Sequence, residues 1–428
     1  MKKDTFKRLI LDFIDKDLSH VVEREFSIPF DIDKVISLVG MRRTGKTFAL
    51  YLLADKLREK LPRENIVYIN FEDDRLFPLE LEEMDLLIQA YYDLFPAKKG
   101  EKVYFLFDEI QNVPNWEMFV RRLHDTENCR LYITGSSSKL LGREIATSLR
   151  GRTLTYQVFP LSFREFLRFK GVTFTPFSVR SESEVRHAFQ EFLWRGGFPE
   201  VVSYPEEVLR RTLKEYLDLV IYKDIVERHR ITNLFIVKYL LTYLIRNQAN
   251  LLSPGKIYND FKSQGLRVSK NTIYEYIGFI EEAFVIFFVP VWASSVRKEW
   301  RNPKKVYAVD TSLKGILDTR RDVGRVYENV VFMELKRRYS RITYFKGHQE
   351  VDFFVEEAEE PLLLNVCYDF TSLETRKREI KGVMEAMKFL KLKRALILTA
   401  EHEESIGLDG KSIMVMPLWK WLVEKASR

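Results

Sequence analysis

The chain has 428 residues, 46% of them apolar, and a formal net charge of +7. Its length exceeds one ordinary hydrophobic core and calls for several domains, and its apolar share excludes a disordered chain. Cys129 and Cys367, the only cysteines, exclude a disulfide framework and a Cys-rich zinc site, while the small charge excess permits nucleic-acid contact without requiring it.

Residues 1–20 form a charged amphipathic stretch, interrupted by Lys7, Arg8, Asp12, Asp15 and Lys16, and do not read as a signal peptide. The most apolar run, residues 283–293, contains Pro290 and falls short of the roughly 20 residues that cross a bilayer. It reads as a buried strand. A cytoplasmic protein without a membrane partner is the expectation.

Residues 22–159 alternate short apolar runs with helical patterns, which predicts a parallel α/β sheet. The first run, Val35-Ile36-Ser37-Leu38-Val39, enters Gly40-Met41-Arg42-Arg43-Thr44-Gly45-Lys46-Thr47 and then an apolar helix over residues 48–61. This is the spacing of a phosphate-binding loop. Its glycines let backbone N–H groups turn inward, the helix N-terminus adds partial positive charge, Lys46 supplies a full charge and Thr47 offers a hydroxyl to Mg²⁺. Gly40, Arg42, Arg43, Thr44, Gly45, Lys46, Thr47 and Phe48 are the candidate nucleotide-binding positions.

Residues 66–70 read as a second strand ending in Glu72-Asp73-Asp74, an acidic turn that reads as a solvated loop, with a position facing the nucleotide as the alternative. Val103-Tyr104-Phe105-Leu106-Phe107 is the continuous apolar run of a buried parallel strand and ends in Asp108-Glu109. Behind a phosphate loop, such a pair assigns Asp108 to the Mg²⁺ shell beside Thr47 and Glu109 to the attacking water. A further strand, residues 131–134, leads into Gly135-Ser136-Ser137-Ser138, where Ser136 or Ser137 can place the water or sense the terminal phosphate. Leu149-Arg150-Gly151-Arg152, a last strand over 155–159 and Pro160-Leu161-Ser162-Phe163-Arg164-Glu165-Phe166 follow. Arg150 or Arg152 has the chemistry to reach the terminal phosphate of a neighbouring subunit, which requires a homo-oligomer; a local ion pair is the other reading.

In order, Gly-Met-Arg-Arg-Thr-Gly-Lys-Thr, Phe-Asp-Glu-Ile-Gln, Ile-Thr-Gly-Ser-Ser-Ser-Lys-Leu-Leu, Arg-Gly-Arg and Pro-Leu-Ser-Phe-Arg-Glu-Phe resemble the archaeal and bacterial AAA-type ATPases. These are P-loop ATPases of the additional-strand catalytic-Glu class. The resemblance implies ATP as the nucleotide and Mg²⁺ as the metal. It also implies a succession of domains: an α/β P-loop ATPase domain over 1–165, a helical lid over 166–234, a winged-helix domain over 235–317 and a restriction-endonuclease-like α/β domain over 318–428, related to the PD-(D/E)XK nucleases.

Beyond the motifs, Arg195-Gly196-Gly197-Phe198-Pro199-Glu200 reads as a turn between helices. Residues 213–229 have helical spacing, with Lys223, Asp224, Glu227 and Arg228 on a solvated face. Ser253-Pro254 and Ser269-Lys270-Asn271-Thr272 each open a short helix; a strand over 284–289, a basic loop with Arg297, Lys298, Arg301, Lys304 and Lys305, and a strand over 306–309 complete a winged helix. On double-stranded DNA, Lys270 and Asn271 would lie nearest the bases and the basic loop on phosphates. A packing module is the alternative.

In the last domain, Glu328 on a helix and Asp352 at a hairpin stand at nuclease-like positions. The strand that should carry an acid or amide and then a Lys reads Asn365 and Cys367. Cys supplies no cation and neutral Asn is a poor hard-metal ligand, so nuclease activity is not expected. The expected function is ATP hydrolysis with Mg²⁺ that moves the C-terminal domains, on DNA in one version. A nucleotide-gated switch without DNA and a DNA-cleaving effector are the alternatives.

Overall fold

The computed structural model describes all residues except 1, 27, 136–148, 150, 319–321 and 425–428. Two compact units divide the chain, Met1–Phe159 and Pro160–Arg428.

In the first unit, β1 (Val35–Val39), β2 (Ile66–Asn70), β3 (Val103–Asp108), β4 (Cys129–Thr134) and β5 (Thr153–Gln157) form one sheet in the order β2-β3-β4-β1-β5. All its strand pairs are parallel. Every residue of β1 and β3 is buried, as strands covered on both faces require. Helices α1 (Lys2–Asp15), α2 (Lys46–Arg58), α3 (Asp85–Leu94) and α4 (Trp116–Thr126) accompany the sheet, and together they make a P-loop NTPase fold. The sheet inserts β4 between β1, which feeds the glycine loop, and β3, which ends in Asp108. The C-terminal ends of β1, β4 and β3 therefore lie side by side. The charged N-terminal stretch is also structural: α1 buries Phe6, Leu9, Ile10 and Phe13 at helical spacing and packs on α3 and β2.

The second unit begins with α5 (Phe163–Lys170), α6 (Val179–Arg195) and α7 (Glu206–Leu219), then a π-helical stretch, Val220–Glu227, and α8 (Leu234–Arg246). A reciprocal Ser162–Glu165 cap starts α5 and a left-handed Gly171 ends it. Asp224, read from the sequence as part of a solvated face, is buried, because the π-helical stretch shifts the register at which residues face inward. The Arg195–Glu200 turn is pinned by Asp310, whose Oδ2 accepts from Gly197 N at 2.7 Å. A Cβ on Gly196, where φ is +71°, would lie 1.7 Å from Asp310 Oδ1, so glycine is required there.

Next come β6 (Leu251–Leu252), α9 (Pro254–Ser263), α10 (Lys270–Glu282), β7 (Ile286–Val289), α11 (Val296–Arg301) and β8 (Lys304–Ala308), whose strands pair antiparallel in the order β6-β8-β7. Ser253 and Ser269 cap α9 and α10 through the amides of Lys256 and Thr272. The basic loop expected over Arg297 to Lys305 is corrected: residues 296–301 are helical, and Lys304 and Lys305 open β8. Lys305 is only 1% exposed. Strand alternation turns its side chain inward, away from any phosphate.

The chain closes with α12 (Ser312–Leu317), α13 (Val323–Arg338), β9 (Thr343–Lys346), β10 (Glu350–Val355), β11 (Leu362–Val366), α14 (Leu373–Phe389), β12 (Arg394–Thr399), β13 (Glu404–Leu408), β14 (Lys411–Pro417) and α15 (Leu418–Glu424). Its six strands form a mixed sheet, β13-β14-β12-β11-β10-β9, parallel at β11–β12 and β12–β14 and antiparallel elsewhere. Val383, Ala386 and Met387 of α14 share a core with Val351, Leu363 and Ile397 of the sheet. Among the described residues, no helix is long and apolar enough to cross a membrane.

Candidate active site

The loop between β1 and α2 is shaped by positive backbone angles. Gly40 has φ +148°, and a Cβ there would meet Val158 O at 2.3 Å. Gly45, at φ +95°, enters α2 in the left-handed conformation without a side-chain cap. Any side chain at Gly40 would collide with backbone, and the N-terminus of α2, entered at Gly45, favours a nearby anion. Arg43 shares the left-handed region at φ +67°.

Lys46 is 5% exposed, and its Nζ donates to Gly40 O at 3.0 Å and Met41 O at 3.2 Å. Thr44 Oγ1 donates to Met41 O at 2.9 Å. Behind the loop, Arg24 Nη1 donates to Thr44 O at 3.2 Å and its Nη2 to Phe159 O at 2.8 Å. These contacts hold the loop open as a cradle. Phe48 stands 59% exposed on α2, with its ring edge-on to Tyr51 at 5.7 Å.

Asp108, 1% exposed at the end of β3, is bound by three hydroxyls. Its Oδ2 accepts from Thr47 Oγ1 at 2.7 Å and from Tyr68 OH at 2.8 Å, and its Oδ1 accepts from Thr134 Oγ1. Burial pushes its carboxyl above the usual range, against the hydrogen bonds, which favour the charged form. Thr134 Oγ1 also accepts from Glu109 N at 3.0 Å, so one hydroxyl bridges the two acids. Glu109 has φ +52°, and its side chain accepts from Gln111 Nε2. A left-handed non-glycine residue at a strand end marks a position the fold constrains.

Glu72 approaches Arg42 at 3.7 Å. Burial first, and then the charge of Glu109, raise its carboxyl. Glu72 and Asp74 are nevertheless exposed, so the Glu72-Asp73-Asp74 turn remains a solvated loop, with Glu72 at the edge of the acid pair. Gly40, Arg42, Arg43, Thr44, Gly45, Lys46, Thr47 and Phe48 all lie on the loop or the first turn of α2, and Thr47 joins Asp108 directly. Ser136, Ser137 and Arg150 lie outside the described residues. Arg152 O accepts from Val35 N at 2.8 Å, and its Nε lies 3.2 Å from Asp125 Oδ1. That places Arg152 at the N-terminal end of β1, a strand length, about 17 Å, from the glycine loop of its own chain.

Tyr68 and Thr134 were not singled out from the sequence. Their signal is topological: β2 and β4 flank β3, and register pairs Asn70 with Asp108 and Ile133 with Phe107. Side chains near those strand ends converge on Asp108. The constellation combines an anion cradle with an ammonium, a hydroxyl–carboxylate pair suited to a hard divalent cation, and a nearby carboxylate able to take a proton.

An AAA domain family matches residues 33–167, and a domain of unknown function matches residues 186–322. The uncharacterized protein MJ1544 of Methanocaldococcus jannaschii is 38% identical over 435 residues, spanning 98% of this chain and 95% of its own. An uncharacterized protein of Haemophilus influenzae is 30% identical over 395 residues, spanning 91% of this chain and 94% of its own. Among solved structures, the Walker-type ATPase paby2304 of Pyrococcus abyssi aligns over 74% of this chain and 95% of its own, with 16% identity and a TM-score of 0.41.

Proposed function

We propose that this chain, which belongs to a family of AAA-domain proteins, hydrolyses ATP and uses the cycle to change the conformation of its C-terminal domains. The observation that carries the reading is the hydrogen-bonded set Thr47, Asp108, Thr134 and Glu109 at adjacent strand ends, beside the Lys46 loop. In this reading the loop amides and Lys46 hold the β- and γ-phosphates, with Arg42, Arg43, Thr44 and Phe48 around the nucleotide. Thr47 and Asp108 hold Mg²⁺, which when bound neutralises charge on the phosphate oxygens. Glu109 orients the attacking water and takes its proton, while Thr134 keeps Glu109 in register with Asp108. Ser136 is assigned to water placement. Arg150 or Arg152 is assigned to the terminal phosphate of a neighbour in a homo-oligomer; the ion pair of Arg152 with Asp125 supports the alternative, a local role, for that residue.

Tyr68 tests the Asp108 part of this assignment. Tyr68→Phe removes one of the carboxylate's three hydroxyl donors, a loss of about 1 kcal/mol. The Mg²⁺ concentration for half-maximal turnover should shift about fivefold while ATP affinity without metal stays put. An unchanged Mg²⁺ profile would show that the hydroxyl does not position Asp108.

Within the second unit we assign 166–234 to the helical lid, 235–317 to a winged helix and 318–428 to a nuclease-like α/β domain. The support is the helix pair α9–α10 with the antiparallel β6-β8-β7 sheet, followed by a mixed sheet and its helices. Lys270, Asn271 and Tyr274 are exposed on α10, and Arg297 and Lys298 on α11. This surface fits double-stranded DNA, with α10 in the major groove. Phosphate release by the full chain, with and without duplex DNA, is the test. Turnover that requires Mg²⁺ and rises severalfold with DNA is expected, and Asn271→Ala should weaken DNA binding by about 1–3 kcal/mol. A rate indifferent to DNA favours the nucleotide-gated switch. No turnover together with no ATP uptake by calorimetry would falsify the ATPase reading itself.

A further inference from the structure

Away from the nucleotide loop, the second unit contains a buried charge cluster built from three elements. Lys305 on β8 has a side chain only 2% exposed. Its Nζ lies 2.9 Å from Glu328 Oε1 on α13, 2.8 Å from Glu350 Oε1 and 2.7 Å from Asp352 Oδ1, both on β10. Glu328 and Asp352 accept hydrogen bonds from this ammonium, and Glu350 adds a third ion pair. Tyr307 OH donates to the same Glu328 oxygen at 2.6 Å, and the ring of Tyr344 lies beside the ammonium at 5.9 Å.

Three carboxylates converging on one point is the arrangement of a hard divalent cation. The nuclease-like reading of 318–428 would call for such an ion between Glu328 and Asp352. The donors present do not fit one, because an ammonium already occupies the point where they converge. Asp352 uses Oδ1 on Lys305 and Oδ2 on Val366 N at 2.7 Å. Glu328 Oε1 is taken by both Lys305 and Tyr307. Asn365 turns its Oδ1 to Asp352 N at 3.2 Å and its Nδ2 to Glu379 Oε2 at 2.7 Å.

We propose that the Lys305 ammonium is the resident cation of this centre: it fills the place a divalent metal would take, closes the cluster to metal, and ties β8 to α13 and β10. The geometry is sufficient without the nuclease-like assignment, because it rests on an ammonium seated among three carboxylates. The assignment adds only what the site resembles. It also accounts for the basic pair Lys304-Lys305, whose second member has no role on the surface. Burial first, and then the neighbouring Asp352, push the Glu328 carboxyl up. Glu350, whose side chain is 35% exposed, is the carboxylate of the three nearest solvent.

The test uses the full chain without nucleotide and Mn²⁺ as the probe, read by electron paramagnetic resonance and by thermal melting. Wild type should hold no Mn²⁺ that Asp352→Asn removes. Lys305→Ala should melt at a lower temperature, bind Mn²⁺ about tenfold or more tightly than wild type, and recover melting temperature when Mn²⁺ is added. Asp352→Asn in the Lys305→Ala background should abolish both gains. Should Lys305→Ala fail to fold at every Mn²⁺ concentration, the comparison of wild type with Asp352→Asn decides. Mn²⁺ uptake by wild type that depends on Asp352 overturns the proposal, as does a folded Lys305→Ala indifferent to the metal. Neither outcome depends on whether the domain descends from a nuclease, which DNA cleavage assays address separately.

Discussion

Glu109→Gln is expected to reduce ATP turnover by about 10²- to 10⁴-fold, the range for removing a positioned general base, while leaving ATP binding intact. Gln keeps the shape of Glu and can still accept from Gln111, and its backbone amide still reaches Thr134 Oγ1. What it loses is the ability to take a proton from water. It also removes a negative charge near the polyphosphate, so nucleotide affinity should hold or rise. Single-turnover phosphate release, paired with calorimetry of ATP binding, separates the two effects. Parental turnover by the variant would mean that Glu109 is only a structural neighbour of Asp108.

Lys46→Ala is expected to act one step earlier, on binding. Lys46 is the buried cation of the loop, and its Nζ sits 3.0 Å and 3.2 Å from the carbonyls of Gly40 and Met41. That position puts its charge at the centre of the cradle, where a charge-assisted hydrogen bond to phosphate contributes about 1.5–3 kcal/mol, ten- to about a hundredfold in Kd. Turnover should fall with affinity, unlike the Glu109 variant, in which kcat falls alone. Lys46→Arg should not restore binding, because a planar guanidinium does not fit a niche built around a compact ammonium. Circular dichroism melting checks that the fold survives. Unaltered ATP affinity in folded Lys46→Ala would remove the loop from the nucleotide site.

Much of this could be read from the chain alone, because the relevant information is local. An apolar run, a glycine-bounded loop and a following helix occupy contiguous residues 35–58, and Asp108-Glu109 ends a strand whose unbroken apolar run already announces burial. The strand and helix periods that carry such signals span only a few residues. What local pattern could not reveal was which strands become neighbours. Tyr68 and Thr134 bind Asp108 because β2 and β4 flank β3 in the sheet, an order set by tertiary packing. Lys305 shows the same limit from the other side. Beside Lys304 it reads as part of a basic loop, yet pairing of β8 with both neighbours turns it inward, where it meets carboxylates from Glu328, Glu350 and Asp352. A buried charge must find its counter-charges in three dimensions. Composition and spacing determined which chemical groups this protein has, and the packing of its strands decided which of them meet.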